Sequence, residues 1–153
     1  MTLQTIIYAV HVLAAMLWVG GMFFAWAVLR PASAAALPAP ARLGLWLQVL
    51  QRFFAWVWGA VVVLAVSGVI VLQARFTGFE TAPRYVQWMM GGYLVMVAVF
   101  IRLATLRLPA LRLAVAAEDW PAAGAQMAQV RRWVGFNLAL GTLVVALAAL
   151  RPY

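Results

Sequence analysis

The chain has 153 residues, of which 68% are hydrophobic and only 9% are charged, and its mean hydropathy is +1.01. A soluble domain is about half apolar and about a quarter charged, so this composition excludes a soluble enzyme, a disulfide-rich secreted domain and a disordered chain. The chain contains no Cys, which excludes thiolate metal sites and iron–sulfur clusters, and its formal net charge is +8.

Four apolar stretches are each about as long as the roughly 20 residues that a bilayer requires, and they predict four membrane-spanning helices. We therefore expect an all-α integral membrane protein of four helices, formed by one transmembrane domain over residues 1–153. The expected spans, in chain order, are residues 3–29, 53–72, 85–108 and 133–150.

The connections between the spans differ in character. A small-residue linker with several prolines follows the first span at 32–40, and proline argues against a helix there. A short polar loop at 75–84 follows the second span. The third connection, 109–132, indicates two short helices that are broken at 119–121. We therefore expect short interfacial helices in the cytoplasmic loops.

The arginines are distributed unequally between the two sides of this arrangement. Eight lie on the side of the first and third connections and three on the side of the termini, so the positive-inside rule predicts cytoplasmic connections there. In a bacterium the protein is then a multi-pass protein of the inner (cytoplasmic) membrane with both termini periplasmic. Membrane lipids are the expected contacts of these charges, and no nucleic-acid partner is expected. The eight are Arg30, Arg42, Arg52, Arg102, Arg107, Arg112, Arg131 and Arg132, and the three are Arg75, Arg84 and Arg151.

Each span carries one polar residue at a similar depth, about 12 Å from its outer end at 1.5 Å per residue. These residues are His11, Ser67, Tyr93 and Thr142. One explanation is structural, because polar side chains inside a bilayer often bond to each other or to a backbone carbonyl. The other is a cofactor site in which His11, the only histidine, is a metal ligand and the other three line the pocket.

Two further groups of residues are candidates for binding. Met89 and Met90 are close to the depth of His11, and their thioethers could bind Cu(I) with it, although methionine in an apolar helix commonly fills gaps. Arg131, Arg132 and Asn137, near the cytoplasmic end of the last span, could hold an anionic group such as a propionate or a lipid phosphate. Arginine at such an end is also a common membrane anchor.

His11, Trp18, Gly20 and Gly21 form a His-x6-Trp-x-Gly-Gly pattern. This pattern resembles the opening of small bacterial membrane proteins of the CopD-like and HemJ-like superfamily. The stretch 131–137 and the ending 151–153 resemble the last helix of that group.

The resemblance implies a four-helix bundle with haem b as cofactor and His11 as its ligand, or copper uptake and resistance in the CopD branch. In the HemJ branch it implies oxidation of protoporphyrinogen IX. The chain departs from that branch, because Leu138 and Leu140 replace an acid and a proline and the chain has no Lys. These departures argue against protoporphyrinogen oxidase activity.

Three hypotheses follow for the function. The leading one is a haem b-binding protein with a redox or electron-transfer role and an unidentified redox partner. In it His11 is the axial ligand, and Met89, Met90 or a second chain's His11 in a homodimer completes the iron site, unless the iron is five-coordinate. The second is a copper uptake or resistance protein of the CopD type. The third is a structural or assembly subunit of a membrane complex.

Overall fold

The computed structural model describes residues 2–150; the ending 151–153 lies outside the described residues. Within 2–150 the chain forms four long helices that are apolar enough to cross a membrane, and no strand. The predicted all-α four-helix membrane fold is thus confirmed. The helices are α1 (Leu3–Ala36), α2 (Ala39–Phe76), α3 (Arg84–Ala116) and α4 (Trp120–Leu150).

The helices are longer than the expected spans. They contain 31 to 38 residues, which is about 47 to 57 Å at 1.5 Å per residue, whereas the hydrocarbon core of a bilayer is about 30 Å thick. We call the end with Thr2, Leu150 and the loop 77–83 the terminal end. The end with the breaks 37–38 and 117–119 is the arginine end, because most arginines lie towards it.

The expected linker after the first span is helical as far as Ala36, and the chain breaks only at 37–38. The reason is a π-helical turn at Ala25–Leu29, which ends two residues before Pro31. A proline ring clashes with the carbonyl of the preceding turn in a regular α-helix, and a π turn widens that turn and leaves room for the ring.

The third helix repeats this arrangement. A π-helical turn at Leu103–Arg107 ends two residues before Pro109, and the α-helical segment Leu108–Ala116 follows it without a break. The short helices expected in the connections are therefore present as continuations of the spans. The break expected at 119–121 lies at 117–119, where Glu118 has a positive φ of 54°.

The core forms where α1 packs against α2 and α3 packs against α4, with α1 also touching α4. Trp18 is buried at the centre and meets the rings of Tyr93 and Phe100 edge-on, with centroids 6.5 and 6.0 Å away. Gly141 of α4 lies against Val19 and Met96, where an added Cβ would be 2.9 Å from each. These contacts connect α1, α3 and α4, and α2 reaches the same centre with Phe54, whose ring centroid is 5.2 Å from that of Phe100.

Candidate functional site

His11 and Ser67 lie side by side in the half of the bundle nearer the terminal end. The His11 Nδ1 atom is 2.8 Å from Ser67 Oγ, across the interface between α1 and α2. Ser67 is buried, and its hydroxyl donates to the carbonyl of Val63 one turn earlier in the same helix. Two of the four residues that the sequence places at one depth are therefore in direct contact.

The bond from Ser67 to Val63 determines which nitrogen of His11 carries the proton. A serine hydroxyl has one hydrogen, so an oxygen that donates to Val63 can only accept from His11. His11 therefore donates from Nδ1, and in the neutral ring Nε2 is unprotonated with a free lone pair. Within residues 2–150 no hydrogen bond reaches Nε2. A neutral imidazole held through its other nitrogen is the usual form of a metal-binding histidine.

Gly68 adjoins the same ring. A Cβ added at Gly68 would lie 3.5 Å from His11 Cε1, which is an ordinary van der Waals distance. The imidazole therefore packs against the α2 backbone at 67–68, and both its hydrogen bond and this contact hold its orientation.

Tyr93 and Thr142 do not join this pair. The Tyr93 hydroxyl donates to the carbonyl of Val61, at 2.8 Å, which lies about 9 Å along α2 from Ser67 at 1.5 Å per residue. Thr142 is exposed and its hydroxyl donates to the carbonyl of Leu138 in its own helix, at 2.8 Å. The four polar side chains thus form one interhelical pair and two separate backbone contacts.

Asn137 lies deeper, in the core beside α3. It is only 2% exposed and its Nδ2 donates to the carbonyl of Met96 at 3.0 Å, while its Oδ1 has no hydrogen-bond partner. It lines a small cavity together with Trp18 and Met22. This cavity is separate from His11, which is not among its lining residues.

Arg131 lies at the arginine end, beside Arg30. Both line a shallow groove, together with aromatic side chains of α1 and α2. Arg30 is 19 residues after His11 in α1, which corresponds to about 28 Å. Arg131 therefore lies too far from His11 to contact a cofactor that His11 ligates.

The methionines fall into three groups. Met22, Met96 and Met127 belong to the buried core, and Met16 is 63% exposed on the outside of α1. Met89 and Met90, on α3, are half-buried and lie outside the core cluster.

The depth of these two methionines is close to that of His11. Tyr93 of α3 touches Trp18 of α1, so this contact gives a common reference level. At 1.5 Å per residue towards the terminal end, Met89 is about 6 Å from that level along α3, and His11 is about 10 Å from it along α1. Met89 and His11 are therefore within about one helical turn in depth. Among residues 2–150 no group of three or more His, Cys, Asp or Glu side chains could hold a metal ion.

A second serine contact, at the arginine end, was not predicted. Trp46 Nε1 donates to Ser33 Oγ at 3.2 Å, and Ser33 Oγ donates to the carbonyl of Arg30 at 3.1 Å. Ser33 is buried although it lies in the stretch expected to be a linker. The residues just before the second span are largely apolar and include Trp46. This pattern could have indicated that they pack against the stretch 32–40.

The family model for copper resistance protein D (CopD) matches residues 47–151, which is more than half of the chain. The chain belongs to the CopD family. No curated protein and no solved structure matches it. The resemblance to CopD-like proteins is thus confirmed. With four apolar helices and this family, the chain is a multi-pass membrane protein of the CopD type.

The CopD match covers Ser67, Met89, Met90 and Asn137 but begins after His11. The family therefore assigns nothing to His11 directly. The case for His11 as a ligand rests on its hydrogen bond and on the free Nε2 atom.

Proposed function

We propose that this CopD-family protein binds Cu(I) at His11 as the ion enters the bundle from the terminal end, and passes it across the membrane. The observation that supports this most is the contact from His11 through Ser67 to Val63. It leaves Nε2 deprotonated and therefore competent to bind a metal without first losing a proton.

The neutral surroundings favour a monovalent ion. The chain has three carboxylates, Glu80, Glu118 and Asp119, and all lie in the turns between helices. Moving an ion from water into an apolar site costs a free energy that rises with the square of its charge, so without carboxylates a divalent ion is disfavoured. Imidazole and thioether ligands suit Cu(I), which is soft and carries one charge.

We propose Met89 and Met90 as the thioether partners of His11. Three other described methionines are needed in the core, and Met16 faces outward. Met89 and Met90 lie nearest in depth to His11, on a helix that contacts α1 through Tyr93.

The orientation with periplasmic termini remains our proposal. It places His11 in the half of the membrane that faces the periplasm, so that the site receives copper from outside the cell. The unequal distribution of arginines supports this orientation.

Copper entry into proteoliposomes tests the proposal. The protein is reconstituted into vesicles that enclose a chromogenic Cu(I) chelator, and Cu(I) is supplied outside under reducing conditions. We expect His11→Ala to lower the initial rate of copper entry by about tenfold or more, and Met89→Leu with Met90→Leu to lower it by a smaller factor. Met16→Leu, on the outside of α1, is the matched control and should leave the rate unchanged.

A rate in His11→Ala equal to that of the unaltered protein would contradict the proposal and favour the structural-subunit hypothesis. Circular dichroism and thermal unfolding of each variant in detergent distinguish a lost ligand from a lost fold.

Haem b is the second candidate, because the same Nε2 atom could ligate haem iron. His11 lines neither of the two cavities described above, and Tyr93, Thr142, Arg131 and Asn137 do not contact it. We therefore derive no redox step through haem. An absorption spectrum with a Soret band that His11→Ala removes would favour haem over copper.

A further inference from the structure

A shallow groove opens at the arginine end between α1, α2 and α4. Its wall is apolar and largely aromatic, and it includes Trp46, Phe53, Phe54 and Met127. It lies where the apolar part of α1 gives way to its arginine-bearing continuation. A bilayer's hydrocarbon ends at about such a boundary, since the helices extend well beyond 30 Å.

Arginines from separate helices gather at this groove. Arg30 of α1 and Arg131 of α4 line it, and Arg42 of α2 is near enough for its charge to act on Arg131. Like charges this close repel one another, and no acidic residue is among the described residues that line the groove. An anion between them would replace repulsion with attraction.

The groove is held in place by the contacts of Ser33 and Trp26. Ser33 connects Trp46 in the wall to the backbone of Arg30. The Arg30 guanidinium lies 5.5 Å from the centre of the Trp26 ring, and Trp26 itself packs close to Gly135 of α4. Ser33 thus connects the backbone at Arg30 to the wall, and the Trp26 ring lies beside the Arg30 guanidinium.

We propose that this groove binds one anionic phospholipid of the surrounding leaflet. Its phosphate lies between Arg30 and Arg131, and an acyl chain lies along the aromatic wall. Guanidinium groups bind phosphate through paired N–H donors, and aromatic walls bury acyl methylenes. The combination of positive charge with an apolar wall selects a lipid over a water-soluble anion.

Native mass spectrometry of the full chain released from detergent tests this site, with phosphatidylglycerol and phosphatidylcholine as probes. We expect Arg30→Gln with Arg131→Gln to weaken phosphatidylglycerol binding by about tenfold or more and to leave phosphatidylcholine binding unchanged. The matched control is Arg52→Gln with Arg132→Gln, which removes two exposed arginines near the same end that do not line the groove. It should change phosphatidylglycerol binding by less than about twofold.

Equal losses in the two double variants would overturn the proposal, because they would show a general effect of charge. So would complete displacement of the lipid by millimolar inorganic phosphate, which would show a site for a soluble anion. Arg30→Lys with Arg131→Lys keeps the charge, and retention of most of the binding in this variant would support the proposal even if the Gln variant fails to fold. Binding of phosphatidylglycerol to a folded Gln variant that equals binding to the unaltered protein would overturn it.

Discussion

The two ends of the bundle contain the same three-part contact, in which a ring nitrogen meets a buried serine whose hydroxyl donates to a helix carbonyl. At the terminal end the ring is His11 and the serine is Ser67; at the arginine end the ring is Trp46 and the serine is Ser33. The two serines are almost equally buried, at 5% and 4% exposure. In both contacts the serine satisfies an N–H group from a neighbouring helix or segment.

The two contacts differ in whether the ring keeps a nitrogen atom that has no hydrogen-bond partner. Indole has a single nitrogen, which can only donate, so the contact of Trp46 leaves no polar atom unused. Imidazole has two nitrogens, and once Nδ1 donates to Ser67, Nε2 remains available as a ligand. The same hydrogen-bond arrangement therefore only stabilises packing at one end, whereas at the other it also prepares a binding atom.

Ser67→Ala is expected to show the largest difference between the two contacts, in the affinity for Cu(I). Loss of the hydroxyl frees the His11 ring to rotate and to move its proton to Nε2, which blocks the metal. We expect the affinity for Cu(I) to fall by about tenfold to 100-fold, the usual cost of losing a group that orients a ligand. Competition with a chromogenic Cu(I) chelator measures it. Ser33→Ala is the control, and an equal loss of affinity there would remove the distinction between the contacts.

The reciprocal change, Ser33→Ala, should act on stability alone. It leaves the Trp46 N–H buried without a partner, and we expect the free energy of unfolding to fall by about 1 to 3 kcal/mol. Unfolding in detergent micelles, followed by tryptophan fluorescence, measures this change.

A second substitution isolates the cause of that loss. Adding Trp46→Phe to Ser33→Ala removes the unpaired donor as well, so the double variant should lose less than the two single losses added together. Strict additivity would indicate that the indole and the serine do not interact.

The smallest expected difference between the two ends is in the stability of alanine variants at two glycines, Gly68 beside His11 and Gly135 beside Trp26. A Cβ at Gly68 would meet His11 at 3.5 Å, whereas a Cβ at Gly135 would lie 3.3 Å from Trp26 Nε1 and require a small shift. Alanine favours a helix over glycine by about 1 kcal/mol. We expect Gly68→Ala to gain most of this amount and Gly135→Ala to gain about 0.5 kcal/mol less. Thermal unfolding of both variants checks the order, and a larger gain at Gly135 would contradict it.

The sequence predicted the fold well because hydrophobicity along the chain directly reflects the bilayer. It failed at 32–36, where Pro31 indicated the end of a helix but a π turn accommodates the ring. A π turn changes hydrogen bonding over five residues and has no apolar signature of its own, so hydropathy could not reveal it.

For the site, the sequence indicated how deep each polar side chain lies in the bundle, but not on which side of its helix it lies. Counting residues correctly placed His11 opposite Ser67. The same count placed Thr142 at that level, but its side chain faces outward, and Tyr93 extends to a carbonyl farther from the terminal end. Azimuth depends on how the helices are packed, which a single sequence specifies only weakly when apolar residues surround the helix on all sides.

The π turn in α1 also determines where Arg30 points. One additional residue is accommodated in that turn, and each residue of an α-helix accounts for about 100° of rotation. If the five residues Ala25–Leu29 wound as a regular α-helix instead, everything beyond them would rotate by nearly that angle relative to the preceding span. Ser33 would then turn away from Trp46, so the π turn sets the angular phase of the helix beyond it.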